Sequence, residues 1–404
     1  MNFARLITAI GLSSFFIFFF SCSEDPIQTD LSTNDLSLDT LLIKNITGFT
    51  YKISPDISAY KKLYIGNSQN FSFPFSLLKF PSNGWDTFLD SSVTIDSIFL
   101  KVYAGDSLLS GDLDLHLYFT TDSIFDESNS YSSDLYDLDF SNWNDLETPK
   151  ISVRSDTSDT ISFFQESVLS WDLTQQITSL IDTTNHYRTF SLSFLDETGS
   201  LFIELFSREY SAGTYDPKIE IYYRSINSVS SEETLIDTLT RIVYVSEDIS
   251  TINNSNPSEI AENTIMLNRG RGYRSIINIP FDSLSLPSFS IIRYANLFFY
   301  QKDDSLESFS IRMEPLIGNV TNDEPLIFNS DPYENLGAHF SNSSTSEGKL
   351  QISLKSYFQS VLMVDTLKNV GMKFYSSINN SLFDTVKFDL DNDFNRVEIL
   401  YAAP

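Results

Sequence analysis

The chain has 404 residues, 54 acids against 26 bases and a formal charge of −28. That balance excludes nucleic-acid binding, which draws on Lys and Arg to displace counterions from phosphate, and adsorption to anionic lipid. Hydrophobic residues make up 41% and aromatic residues 14%, enough for a packed core, so the excess acid is surface charge on a folded protein. The wealth of Phe, Tyr, Ile, Val, Ser and Thr against few Gly and Ala favours pleated strands. About 380 residues downstream of the leader suggest two domains of ordinary size.

In chain order, Met1–Arg5 carries one positive charge, and Leu6–Phe20 is an apolar run of about 15 residues, short for a membrane span of roughly 20. This is the pattern of an export signal, 1–21. It ends at Ser21-Cys22, the one cysteine, which has no partner for a disulfide or a soft-metal site. A small residue and then cysteine after an apolar core resembles the lipobox of bacterial lipoproteins. There the cysteine is acylated and becomes the mature N-terminus; Phe19 and Phe20 depart from the usual leucine and small residue. The resemblance implies that Cys22 is a lipid anchor, and acyl chains hold a protein on a bilayer at about 0.8 kcal/mol per buried methylene. Ser23-Glu24-Asp25 resembles the acidic surface-export signal of Bacteroidota-like lipoproteins. It implies an outer-membrane, cell-surface address, beside the plainer reading of a solvated tether. Residues 22–45 are expected to be that tether.

From residue 46 the chain states one plan twice. "FSLLKFP" (75–81) followed by "VTIDSIFLKVYAGD" is matched by "YRSIINIP" (273–280) followed by "FSIIRYANLFFYQKDD". Each is a short strand, a proline loop and a long alternating strand, with Ile98, Leu100 and Val102 corresponding to Ala295, Leu297 and Phe299 on one face. Leu173, Ile177, Leu180 and Ile181 then repeat the helical spacing of Leu354, Phe358, Val361 and Leu362. Each copy closes with a strand, Ile219, Ile221 and Tyr223 in one and Val397, Ile399 and Tyr401 in the other. The expected fold class is all-β, two tandem jelly-roll-like β-sandwich domains at 46–224 and 240–402, each with one short amphipathic helix. A polar linker, 225–239, is expected between them.

The order "LLKF-P", "IDSIFLKVY", "WDLT" before a short helix and "FSREYSAGTYDPKIEIYY" resembles the DNRLRE-type domain. This is a β-sandwich related to carbohydrate-binding modules of bacterial polysaccharide-degrading proteins, and the resemblance covers Leu63 to Tyr223. Trp171, Asp172, Arg208 and Glu209 are its most recognisable residues, expected in structural roles: Trp171 in the core, Arg208 and Glu209 as an internal salt bridge. The second copy has Ile352 for the tryptophan and Phe388-Asp389-Leu390 in place of Ser-Arg-Glu. If ligand contacts lie near those motifs, the second copy is expected to lack them.

Catalytic chemistry finds little support. Of three histidines, His116 faces outward on an alternating strand, and His186 and His339 lie in predicted loops without zinc spacing. No nucleophile elbow or phosphate loop is present, and nothing singles out a carboxylate pair for glycoside hydrolysis. The chain is read as a non-enzyme. "DLDNDFNRVEIL" starts like an EF-hand loop but has Phe394 where glycine is needed and Leu400 where glutamate is needed. No cofactor is expected, with a structural calcium in irregular loops left open beside solvated acid. Between Tyr103 and Trp171 the first copy carries 16 more residues than the second does between Tyr300 and Ile352. There Tyr131, Tyr136, Phe140 and Trp143 interleave with acids and offer flat rings for sugar faces. The bland alternative is a loop pinned to its own domain by those rings. The function expected is polysaccharide binding by the first domain at the cell surface, with a structural or adhesive spacer as the alternative and no nucleic-acid partner.

Overall fold

The computed structural model describes residues 37–404 except 56, 69, 105–112, 129, 131–133, 136, 156–164, 196–200, 211–212, 231–232, 254–262, 303–305, 319, 321–325 and 365. The leader, Cys22, Ser23-Glu24-Asp25, Tyr131 and Tyr136 lie outside the described residues.

The chain is all-β. In its first half, one sheet has the order β14 (Glu233–Tyr244), β13 (Lys218–Ser230), β6 (Val93–Ala104), β10 (Gln165–Asp172) and β9 (Lys150–Ser155). The facing sheet runs β15 (Glu247–Ser250), β5 (Phe75–Phe80), β11 (Arg188–Phe194), β7 (Leu115–Thr120) and β8 (Asn144–Asp145). A smaller sheet joins β12 (Phe202–Phe206), β3 (Lys62–Ser68) and β4 (Phe71–Phe73). Alternation decides what lies between the layers: Ile98, Leu100, Val102, Leu169, Trp171, Ile219 and Ile221 of the first sheet pack with Leu78, Phe80, Leu117, Phe119, Phe190 and Leu192 of the second.

The second half repeats the sandwich. One sheet runs β1 (Ser37–Ile43), β25 (Arg396–Ala403), β18 (Ile291–Tyr300) and β22 (Lys349–Ser353). The other runs β20 (Ile327–Phe328), β2 (Thr47–Ile53), β17 (Tyr273–Asn278), β23 (Met372–Ser376), β19 (Ser310–Pro315) and β21 (Ser341–Ser344), with β16 (Thr264–Leu267) and β24 (Val386–Asp389) as a separate pair. The expected helices are α1 (Ile177–Ile181), entered through a 3₁₀ turn at Thr174–Gln176, and α2 (Lys355–Met363). In α1 only Leu180 is buried, and in α2 Tyr357, Phe358 and Val361 are.

The boundaries expected from sequence need correction. Residues 37–43, expected in the tether, form β1, which pairs antiparallel with the C-terminal strand from Ser37↔Ala403 to Ile43↔Val397. β2, expected to open the first domain, pairs with β17 of the second half from Tyr273↔Lys52 to Asn278↔Thr47. The expected linker 225–239 is instead the β13–β14 hairpin, and β15, expected to begin the second domain, lies on β5 of the first half. Each half thus receives its outer strands from the segment that precedes the other half in sequence. The two dockings repeat at atomic level. The Ser250 hydroxyl lies 2.9 Å from that of Ser76 and accepts from the Tyr64 amide at 2.8 Å; the Thr50 hydroxyl lies 3.1 Å from that of Ser275 and accepts from the Met266 amide at 2.9 Å. Polarity misled the sequence reading because β1 buries only Ile43 fully and β14 is an edge strand whose side chains at 237–240 face water.

The halves meet in a third apolar cluster, where Tyr60, Tyr64, Phe71, Phe73 and Phe202 pack around Leu382 and Phe383. Phe383 makes edge contacts with Tyr64, Phe71, Phe73 and Phe202 at centroid distances of 5.3 to 6.1 Å.

Candidate functional site

The expected aromatic loop of the first half turns its described rings inward. Phe140 stacks on Tyr118 at 5.1 Å and meets Phe75 edge-on at 4.9 Å, while Trp143 packs edge-on against Phe140 at 5.1 Å. Together they cover Leu77, Phe125 and Ile249. The pinned-loop alternative describes their geometry, and the acids of the same loop cap their own turns: Asp126 and Asp139 accept from the amides and hydroxyls of Ser128 and Ser141. Among the described residues, no three Asp, Glu, His or Cys side chains are gathered to hold a metal ion. His116 is bracketed by Asp145 at 3.0 Å and Asp114 at 3.4 Å.

Trp171 is buried, with its indole N–H donating to Glu147 O at 3.1 Å. Asp172 is exposed and accepts from the Thr174 amide, capping the 3₁₀ turn. Arg208 pairs with Glu209 at 2.9 Å and with Glu127 at 3.1 Å, so the motif stays within the protein.

A groove lies in the second half, on the outer face of β2, β17, β23, β19 and β21. It has a volume of about 570 Å³ and is lined by Arg269, Arg274, Arg312, Asn342, Tyr375 and Asn379 with serines from three strands. Alternation builds its floor: Met372, Phe374, Ile311 and Met313 point into the core, so Lys373, Tyr375, Arg312 and Glu314 stand on the opposite face. Arg312 lies opposite both Tyr375 and Asn342 in register, and the Arg274 guanidinium sits over the Tyr375 ring at 5.1 Å.

Two carboxylates tie this face together. Asp331 accepts from Lys373 Nζ at 2.8 Å, from Tyr51 Oη at 3.1 Å and from Arg274. Glu314 accepts from Tyr375 Oη at 2.7 Å and Asn335 Nδ2 at 3.0 Å, and lies 2.9 Å from Arg312 Nε. Burial disfavours charge on Asp331, yet the Lys373 hydrogen bond and the Arg274 guanidinium hold it below the usual carboxylate range. Burial and the bond to Glu314 push the Tyr375 phenol up, so its proton is held rather than exchanged. The groove therefore presents donors from several strands, held in place by Asp331 and Glu314.

Sequence reading missed this face because Arg274, Arg312 and Tyr375 are far apart in the chain and each reads as an outward strand residue. The alternation around Tyr375 in "MKFYS" was the available signal. Comparison with family models, with curated proteins and with solved structures found no match for the chain.

Proposed function

We propose that the protein captures polysaccharide at the cell surface, held to the membrane by a lipid on Cys22, and that the groove over β17, β23 and β19 is its binding face. One observation carries this reading: in a chain with a formal charge of −28, one open groove is lined by three arginines, three asparagines and two tyrosines. Guanidinium and amide groups match the hydroxyl and carboxylate oxygens of sugars in paired geometry. The site moves from the first half, where the sequence placed it, to the second. Phe140 and Trp143 are spent on their own core. Several such proteins anchored together would raise effective concentration, so shallow contacts suffice for capture.

The test is retention on a panel of acidic and neutral polysaccharides. Arg312→Ala is expected to weaken retention roughly tenfold, the loss of one charge-assisted hydrogen bond, while Trp143→Ala leaves it unchanged. Silence of the wild type across the panel, or loss in Trp143→Ala alone, overturns the assignment. Protease treatment of intact cells with a Cys22→Ser control tests the anchor: the variant is expected in the medium.

A further inference from the structure

A second cluster of charged groups sits where β15 docks on β5, away from the groove. Asp248 is fully buried there; its Oδ2 accepts from the Arg208 amide at 2.8 Å, and its Oδ1 has no hydrogen-bond partner. Two neighbouring carboxylates share that condition, with Glu209 Oε2 and Asp216 Oδ1 also buried and unpartnered. The surrounding charges do not cure it. From β5, Lys79 is taken up by both oxygens of Glu247 at 2.8 and 2.9 Å. From the loop, Glu127 accepts from the Asp248 amide at 3.3 Å and pairs with Arg208. From the turn after β12, Arg208 is divided between Glu209, Glu127 and the carbonyl of Ser246. From β13, Lys218 stands 3.8 Å from Glu220 and over the Tyr103 ring at 5.1 Å.

A buried carboxylate oxygen without a donor is costly. A proton on Asp248 removes the buried charge and leaves a neutral carboxyl in the seam. We propose that Asp248 binds a proton where β15 docks, making the β15–β5 seam a proton-held latch that tightens as the surroundings acidify. Burial and the Glu209 charge both raise Asp248 well above the usual carboxylate range, and burial raises Glu127 to about 7. The second half supplies an internal control. At the equivalent docking, Ile277 faces Gly48 and Asn278 faces Thr47, where Leu78 faces Asp248 and Lys79 faces Glu247 in the first half. The acids belong to one seam of two that are otherwise built alike.

The latch binds protons more strongly closed than open. Opening should therefore grow easier by up to about tenfold per pH unit between the ordinary carboxyl value and that of buried Asp248. Hydrogen exchange of the full chain from pH 5 to 8, corrected for intrinsic rates, reads this directly. Protection of residues 247–250 is expected to fall with pH in the wild type, to stay level in Asp248→Asn, and to stay level at residues 47–50 in both. Level protection in the wild type, the same fall in Asp248→Asn, an equal fall at 47–50, or a protection that follows added calcium instead of pH overturns the proposal. Should Asp248→Asn not fold, carbon-13 NMR of the wild-type carboxyls decides. The Asp248 midpoint is expected well above the ordinary carboxyl value and lower in Glu209→Gln, and a wild-type midpoint near 4 overturns it.

Discussion

At the residue scale, the side chains that bear most on stability are polar groups with every bond made inside. Arg188 is fully buried and donates to the carbonyls of Leu180, Asp182 and Asn185, while its guanidinium lies 4.7 Å from the Trp85 ring centroid. Trp85 is fully buried, its indole N–H on Pro81 O at 2.9 Å. Arg188→Leu strands three carbonyls and is expected to cost about 3 kcal/mol in urea unfolding. Asp248 gives the opposite kind of effect. Its folded value is raised, so the stability it contributes is fully present below its unfolded value and is lost as pH rises through the folded one. Asp248→Asn is expected to gain on the wild type in urea midpoint between pH 5 and 8, and equal slopes for the two proteins would contradict that reading.

At the element scale, the strand pattern was legible and the strand partners were not. Ile98, Leu100 and Val102 face the core as alternation requires, and so do Ala295, Leu297 and Phe299, because side-chain direction along a strand is a local property. Which strand lies beside β17 is not local. The docking of β2 depends on Gly272, at φ +71°, where a Cβ would stand 1.9 Å from the carbonyl oxygen of Ile53. Gly272→Ala is expected to cost about 2 kcal/mol or more, with loss of hydrogen-exchange protection along residues 47–53. Nothing in the residues around Gly272 signals that another strand passes over it.

At the scale of the whole molecule, the exchanged outer strands decide where the chain can be cut. A fragment of residues 46–224 carries β2 without its partner β17 and lacks β14 and β15, leaving Ile219, Ile221, Leu77 and Leu78 without their covering strands. It is expected to be aggregated or molten by circular dichroism and ANS binding, and a fragment of 57–253 to fold cooperatively. Cooperative folding of 46–224 would show that the outer strands are dispensable. The groove belongs to this scale too, since Ile53, Ser54 and Pro55 line it as the chain crosses from the second-half sheet into the first half, and Arg269 lies 4.8 Å over Tyr60 of the aromatic joint. Binding in the groove and the joint between halves therefore share residues.

By itself the sequence determined the all-β class, the repeated order of strand, helix and closing strand, and the inward faces. All of these follow from period-two and helical spacing within a few residues of chain. Only the tertiary structure decided that β1 and β2 complete the second half and β14 and β15 the first. β1, β2 and β15 are placed by partners far away in the chain, while β14, joined to β13 in a hairpin, is an exposed edge strand that reads in sequence like a polar linker. For the same reason the groove appeared only in three dimensions: Arg274, Arg312 and Tyr375 become neighbours through sheet register, a relation that no spacing in the chain encodes.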